Sequence, residues 1–314
     1  MIVTVTANPS LDRAVTLTEP LRVGEVQVAA GVREDAGGKG INVARVVAAA
    51  NVATLAVLPL ADTDPFATAL AATGVAVHAV PISGHARSNL TVLDPDGTTT
   101  KINLPGPHLG GAEEAALLEN VIAAAAGADW LVLAGSLPPG AEPDLYVRII
   151  AAVRGAHGDA APRIAVDTSG PALHAVVADA SPDLIKPNEH ELAELTGAEA
   201  DPDDIPGIIE LAEGLVRGRV GAALVTLGAA GALLVTADGA WVGTAPRITA
   251  VSTVGAGDSS LAGYLLADVA GLSPEDRLRG GMRYGAAAAS LPGTQPPTPA
   301  DLPTADIPVR RFSR

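Results

Sequence analysis

The sequence predicts an α/β protein wound around a mainly parallel sheet, and three observations carry that reading. Short apolar runs of strand length alternate with longer Ala-, Leu- and Val-rich runs of helical length over most of the 314 residues. Most of the short runs are apolar throughout, as strands covered on both faces should be. Two stretches, 11–32 and 88–103, do alternate polar with apolar. They cannot belong to the parallel core and read as a small antiparallel β lid inserted between core units.

In chain order, the first strand is expected at 2–6 and leads into the first lid segment. A glycine turn then opens a helix at 41–50, followed by a strand at 54–58 and a helix at 65–72. Asp94-Pro95-Asp96-Gly97 stands between two alternating segments and marks the hairpin of the second lid segment. A helix at 112–126, a strand at 130–134, a helix at 143–154 and strands at 164–167 and 184–186 continue the winding. Helices at 189–196 and 205–216 precede a strand at 222–227. A hairpin at 235–242, turning at Asp238-Gly239, is placed at the sheet edge. Two apolar helices at 256–270 and 274–289 close the core, and a Pro-rich tail at 291–314 is expected to cross the surface. The whole of 1–314 reads as one domain carrying the lid.

Composition narrows the function classes. Twenty Lys and Arg against 35 Asp and Glu give a net charge of −15, which argues against broad nucleic-acid or anionic-membrane binding. A small anionic ligand would need a local cluster of cations. No apolar stretch reaches the ~18 residues of a membrane span and no basic signal head precedes the first strand, so a cytoplasmic chain without a membrane partner is expected. With no Cys, disulfides, thiolate metal sites and thiol nucleophiles drop out, leaving oxygen or imidazole for any ligand or nucleophile. The only three lysines are Lys39, Lys101 and Lys186; a chain that otherwise uses Arg keeps a compact ammonium at three places.

Four segments carry chemistry. Thr253-Val254-Gly255-Ala256-Gly257-Asp258-Ser259 places glycines just before a helix, where backbone amides converge on an anion. Asp258 there is either a helix cap or a base that accepts a hydroxyl proton during phosphoryl transfer. Ala36-Gly37-Gly38-Lys39-Gly40-Ile41-Asn42 is a second glycine turn opening a helix, with a cation and an amide near one point. It is not a Walker loop, because Lys39 is followed by Gly40. Asp12 follows the first strand, at a carboxyl end where α/β proteins bind ligands. Lys186-Pro187-Asn188-Glu189-His190-Glu191 ends a strand and starts a helix; Asn188 and Glu191 suit either hydrated Mg²⁺ or a capping box.

Together these segments resemble the ribokinase/PfkB family of carbohydrate kinases over nearly the whole chain. The matching pieces are 8–12, Gly37-Gly38, Gly135-Ser136-Leu137-Pro138-Pro139-Gly140, Lys186-Pro187-Asn188, Thr226-Leu227-Gly228 and 253–258, in the family's order. Ala-Gly-Gly-Lys-Gly-Ile-Asn-Val at 36–43, Lys101-Ile102-Asn103 and Val251-Ser252-Thr253 running on to Ser259 are similar to the phosphosugar branch, kinases of fructose 1-phosphate foremost.

The resemblance implies a ribokinase-like three-layer sandwich with a small β lid, and an ATP-dependent kinase using Mg²⁺. Asp258 is then the catalytic base, and the amides of Gly255, Ala256 and Gly257 form the anion hole. Asp12, Gly38 and Asn42 hold sugar hydroxyls, with Gly37 and Asn103 also on the substrate side. Lys39, Arg87 and Lys101, helped by Ser136, meet the phosphate already on the sugar. Lys186, Asn188, Thr226 and Gly228 line the nucleotide, with Gly257 shared between nucleotide and catalysis. Glu191, with Asn188, orders Mg²⁺ through water. Ser252, Val254, Ala288, Leu291 and Gly293 are the family's positions for a monovalent cation such as K⁺, although Leu291-Pro292 departs from the polar versions of that loop.

The implied reaction is phosphorylation of the primary hydroxyl of a ketohexose monophosphate, fructose 1-phosphate first, with tagatose 6-phosphate and fructose 6-phosphate as sibling substrates. A non-catalytic sugar-phosphate or nucleotide-binding regulator of the same fold is the alternative from another class, and the presence of Asp258 weighs against it. A dinucleotide dehydrogenase is disfavoured because no strand, Gly-x-Gly-x-x-Gly and helix unit stands at the N-terminus. Unpaired lid strands lead us to expect a homodimer joined through the lid.

Overall fold

In the computed structural model, which describes residues 1–313, the opening apolar run forms strand β1 (Ile2–Val5), buried at every residue. The chain then makes β2 (Ser10–Thr16) and β3 (Gly31–Gly37), and returns through α1 (Lys39–Ala49), β4 (Thr54–Leu60), α2 (Phe66–Ala71) and β5 (Val77–Pro81). It leaves the core again for β6 (Arg87–Leu93) and β7 (Thr99–Asn103). Next come α3 (Gly111–Ala125), β8 (Trp130–Ala134), α4 (Leu145–His157), β9 (Arg163–Asp167), α5 (Gly170–Asp179) and β10 (Leu184–Ile185). After α6 (Glu189–Thr196) and α7 (Ile205–Val216) follow β11 (Ala222–Thr226), β12 (Gly231–Thr236) and β13 (Gly239–Thr244). Helices α8 (Ala256–Val269) and α9 (Pro274–Ala289) and strand β14 (Val309–Arg311) complete the fold.

The large sheet has the order β14-β13-β12-β11-β10-β9-β8-β1-β4-β5. It is parallel from β11 to β5 and antiparallel from β11 outward through β14. Side chains alternate across it and so feed two cores. Val3, Val5, Leu131 and Leu133 pack on one side with Leu117, Ile149, Val176 and Ile209 from α3, α4, α5 and α7. Ile2, Trp130 and Val132 pack on the other with Val43, Leu261 and Leu278 from α1, α8 and α9. The result is three layers. Helices α8 and α9 approach at backbone distance: a Cβ on Gly281 would come within 2.9 Å of the Ser260 carbonyl, and one on Gly280 within 2.9 Å of that of Gly263.

The small sheet has the order β3-β2-β6-β7. Both of its hairpins are antiparallel, but β2 and β6 pair in parallel, which corrects the expectation of an all-antiparallel lid. The physical reason lies in the core: β1 and β5 run the same way in the large sheet, and each hands its chain to the lid from the same edge. The cross-strand register sets Gly37, Ser10 and Arg87 in one row, then Asp35, Asp12, Asn89 and Asn103, then Arg33, Ala14, Thr91 and Lys101. These rows are two residues apart and share one face of the lid. The tail differs from a plain surface crossing: Ile307 is buried and β14 extends the sheet beyond β13, so the 235–242 hairpin is not the edge.

Candidate active site

The loops that follow the parallel strands at their carboxyl ends meet the N-termini of α1 and α8 beneath the lid. Gly255, left-handed at φ 78°, turns the chain into α8 and puts Asp258 in the first turn, where free helical amides point outward. The Ala256 amide donates at 3.3 Å to the Thr253 carbonyl. Asp258 is buried, and Asn42 Nδ2 donates to its Oδ2 at 2.8 Å. Asn42, expected on sugar hydroxyls, thus gives one amide hydrogen to the carboxylate. Burial first, and the negative charge of Asp167 second, push the Asp258 carboxyl up to about 6, against the pull of Asn42, Lys39 and Lys186.

Asp167, the last residue of β9, was not singled out in the sequence. It is fully shielded and takes Lys39 Nζ at 2.8 Å on Oδ1 and Lys186 Nζ at 3.1 Å on Oδ2. Burial alone would raise its pKa, but the two ammonium groups hold it below the ordinary carboxylate range. Burial likewise works against the Lys39 charge, and Asp167, Asp258 and Glu191 more than offset it. Lys39 therefore stands in the centre built by Asp167, Lys186 and Asp258. Lys39, expected with Arg87 and Lys101 around the sugar's phosphate, is drawn by Asp167 toward Lys186. Only its position could have flagged Asp167: a carboxylate at the end of a parallel strand, the same cue that pointed to Asp12.

Asp12 lies on the lid face turned to the core. Ser10 Oγ and Asn89 Nδ2 donate to its Oδ1 at 2.8 and 2.9 Å. Burial raises its pKa, opposed by those two bonds and by the Arg87 charge. A Cβ on Gly37 would collide with the Asp12 carboxylate, and Gly38, at φ 124°, brings the turn against Thr6. These close approaches explain the glycines. Arg87 shares the row of Ser10, and its buried Nε meets no protein acceptor. Lys101 and Asn103 are exposed on β7, on the same face. Ser136 is exposed after β8, where Asn8 Nδ2 reaches its Oγ at 3.4 Å and the Leu137 carbonyl at 3.3 Å.

On the other side of Asp258, buried Lys186 follows β10, and a Cβ on Gly257 would lie 3.3 Å from its Nζ. Asn188 and Glu191 form a reciprocal capping box: Glu191 N donates to Asn188 Oδ1 at 2.8 Å, and Asn188 N to Glu191 Oε2 at 2.9 Å. The Asn188 oxygen thus accepts one bond from the helix and Glu191 keeps its second oxygen. Among the described residues no three Asp, Glu or His side chains converge as a metal cage. Asn188 and Thr226 are joined by a parallel bridge, and Gly228 follows with φ 54°.

Ser252 N and Val251 N both donate to the Ala289 carbonyl, and Leu291 N to that of Ala288. The loop holding Ser252 and Val254 therefore lies beside the one holding Ala288, Leu291 and Gly293. The Arg33 guanidinium of the lid packs directly against Gly293.

A profile of the pfkB family carbohydrate kinases matches residues 6–301. The chain is similar to the 1-phosphofructokinase of Rhodobacter capsulatus, 36% identical over 96% of this chain and 94% of that one. It is also similar to the ATP-dependent 6-phosphofructokinase isozyme 2 of Escherichia coli, 34% identical over 94% of each. The crystal structure of Escherichia coli phosphofructokinase-2 in complex with substrates and products superposes with a TM-score of 0.86 at 32% identity, covering 96% of each chain.

Proposed function

The chain belongs to the pfkB family of carbohydrate kinases and is an ATP-dependent phosphosugar kinase; from that premise we propose that it phosphorylates fructose 1-phosphate at its free primary hydroxyl, giving fructose 1,6-bisphosphate. The observation that carries the chemistry is Asp258, a buried carboxylate with a raised pKa beside the amides that open α8. As the sugar oxygen forms its bond to the γ-phosphorus and the bond to ADP breaks, Asp258 takes the hydroxyl proton. The amides of Gly255 and Gly257, with that of Ala256 once it is released from Thr253, face the charge on the transferred group. Lys39 and Lys186, both anchored on Asp167, neutralise it.

Asp12, with Gly37 and Gly38 close against the sugar, accepts hydrogen bonds from its hydroxyls, and Asn42, also near the sugar, keeps the base in place. Arg87, Lys101, Asn103 and Ser136 serve the sugar's own phosphate. Lys186, Asn188, Thr226 and Gly228 line the ATP. Kinases of this family use Mg²⁺, which when bound offsets phosphate charge; the free oxygen of Glu191 would hold it through water. The adjoining loops at Ser252, Val254, Ala288, Leu291 and Gly293 would offer carbonyls to K⁺.

The relative that is a 1-phosphofructokinase supports fructose 1-phosphate. The 6-phosphofructokinase relative makes fructose 6-phosphate the main competitor, with tagatose 6-phosphate third. Initial rates with ATP and Mg²⁺ on these three sugars, free fructose and ribose decide: fructose 1-phosphate should have the highest kcat/KM. Equal turnover of free fructose would contradict the phosphosugar site.

The lid supports a homodimer. Its outward face and loop expose Val32, Ile102, Val28 and Val26, the last at 97%, and its edge strands β3 and β7 are unpaired. Val32→Asp with Ile102→Asp should convert a dimer to a monomer in sedimentation velocity. An unchanged mass would place the interface elsewhere.

A further inference from the structure

Asp64, which precedes α2, is buried at 5% exposure and, unlike Asp167 and Asp268, pairs with no Lys or Arg among the described residues. Each of its oxygens takes one backbone amide from a different part of the chain: Phe66 N donates to Oδ1 at 2.9 Å and Ala86 N to Oδ2 at 2.6 Å. Closing the turn into α2 needs only the first bond, which a Ser or Asn would also accept. Burying a charge is costly unless its oxygens are hydrogen-bonded, so the second bond is what the carboxylate adds. That bond lands where the chain enters the lid. Residues 83–85 are exposed and Gly84 turns at φ 88°, whereas the Ala86 side chain packs on the apolar cluster of Leu11, Ala36, Ile41 and Phe66.

The next residue is Arg87, the first of β6, in the row with Ser10 and Gly37. Little fixes it from the side-chain end: its buried Nε meets no protein acceptor, and the charge acting on it is that of Asp12. We propose that Asp64 is a positioning residue for Arg87, its buried carboxylate holding the entry of β6 so that the guanidinium is in place before the phosphosugar binds. A phosphate then meets a guanidinium already ordered, and the ordering cost falls on folding rather than on binding. Without the Asp64 tie, residues 82–86 gain freedom and the cost returns to the binding step, which raises KM and leaves the chemistry at Asp258 unaffected. This rests on Arg87 serving the sugar's phosphate.

The test is a double-mutant cycle read by steady-state kinetics in both substrates. Asp64→Asn keeps an oxygen for one amide and sets an NH₂ against the other. It should raise KM for the phosphosugar about fivefold, the effect of losing one hydrogen bond, with kcat and KM for ATP unchanged. Asp64→Ser, whose single oxygen serves Phe66 and not both amides, should do the same, and is read by the same criteria if the Asn variant does not fold. In an Arg87→Met background neither substitution should raise KM further. A lowered melting temperature with an unmoved KM would leave Asp64 a structural tie and overturn the proposal. An equal rise in KM with and without Arg87 would place its action elsewhere in the lid and refute it as well. Arg87→Met with a wild-type KM would remove the sugar-phosphate reading itself, whereas a raised KM there beside an unmoved KM in Asp64→Asn refutes only the positioning role.

Discussion

Lys39 Nζ stands 2.8 Å from Oδ1 of Asp167, a carboxylate with no solvent exposure that meets Lys186 on its other oxygen. On the reading proposed above, the ammonium held there serves the transferred group and not the phosphate already on the sugar. Lys39→Met is therefore expected to lower kcat by roughly 10²-fold, with only a small change in KM for the phosphosugar. A raised KM at unchanged kcat would return Lys39 to the sugar phosphate.

Arg87 should behave in the opposite way. Its charge acts on Asp12 and its buried Nε has no protein acceptor, so a phosphate on the sugar would supply the missing partner. Arg87→Met is expected to raise KM for the phosphosugar about tenfold or more while leaving KM for ATP unchanged, as steady-state kinetics in both substrates would show. Equal effects on both Michaelis constants would contradict a role confined to the sugar side.

How much of this was legible in the sequence follows from where each group's partner sits along the chain. Gly255 and Asp258 lie within one turn, so the segment alone suggested both amides and base. Lys39 stood out as a rare lysine, but its partner is 128 residues away, and only the neighbouring of strands in the parallel sheet joins them. The capping box at Asn188 and Glu191 was one of two readings of a single spacing, and local pattern cannot choose between them. The lid strands were visible through alternation, whereas the parallel pairing of β2 with β6 depends on the direction of β1 and β5. Strand β14 was hidden because three residues in a Pro-rich tail give no periodic signal; the exposed side of β13 recruits them.

The pH profile should reflect Asp258. Its carboxyl is raised to about 6 chiefly by burial, and the base works only when ionised. The rate is thus expected to be full above pH 7 and to fall about tenfold per unit well below 6. The sign for stability is reversed: a raised carboxyl favours the folded state as pH falls from 6 toward the unfolded value and costs stability above 6. Thermal melts at pH 7.5 should therefore show Asp258→Asn to be more stable than wild type. A lower melting temperature would mean that the carboxylate stabilises the fold.

Another buried carboxylate ties side chains together. Asp268 accepts from Trp130 Nε1 at 2.8 Å and pairs with Arg163 and Arg277, and the Arg163 guanidinium stacks on the Trp130 ring at 4.4 Å. Asp268→Ala leaves the indole donor and two guanidinium groups without that acceptor and should destabilise by about 2–3 kcal/mol. Denaturant unfolding would register the loss, with kcat at low temperature unaltered.

The role of Asp258 is tested most directly by kcat of Asp258→Asn alongside its ATP affinity. A fall of roughly 10²-fold or more in kcat, with ATP bound as tightly as by wild type, is the expected result. A kcat close to wild type would contradict phosphoryl transfer driven by this carboxylate.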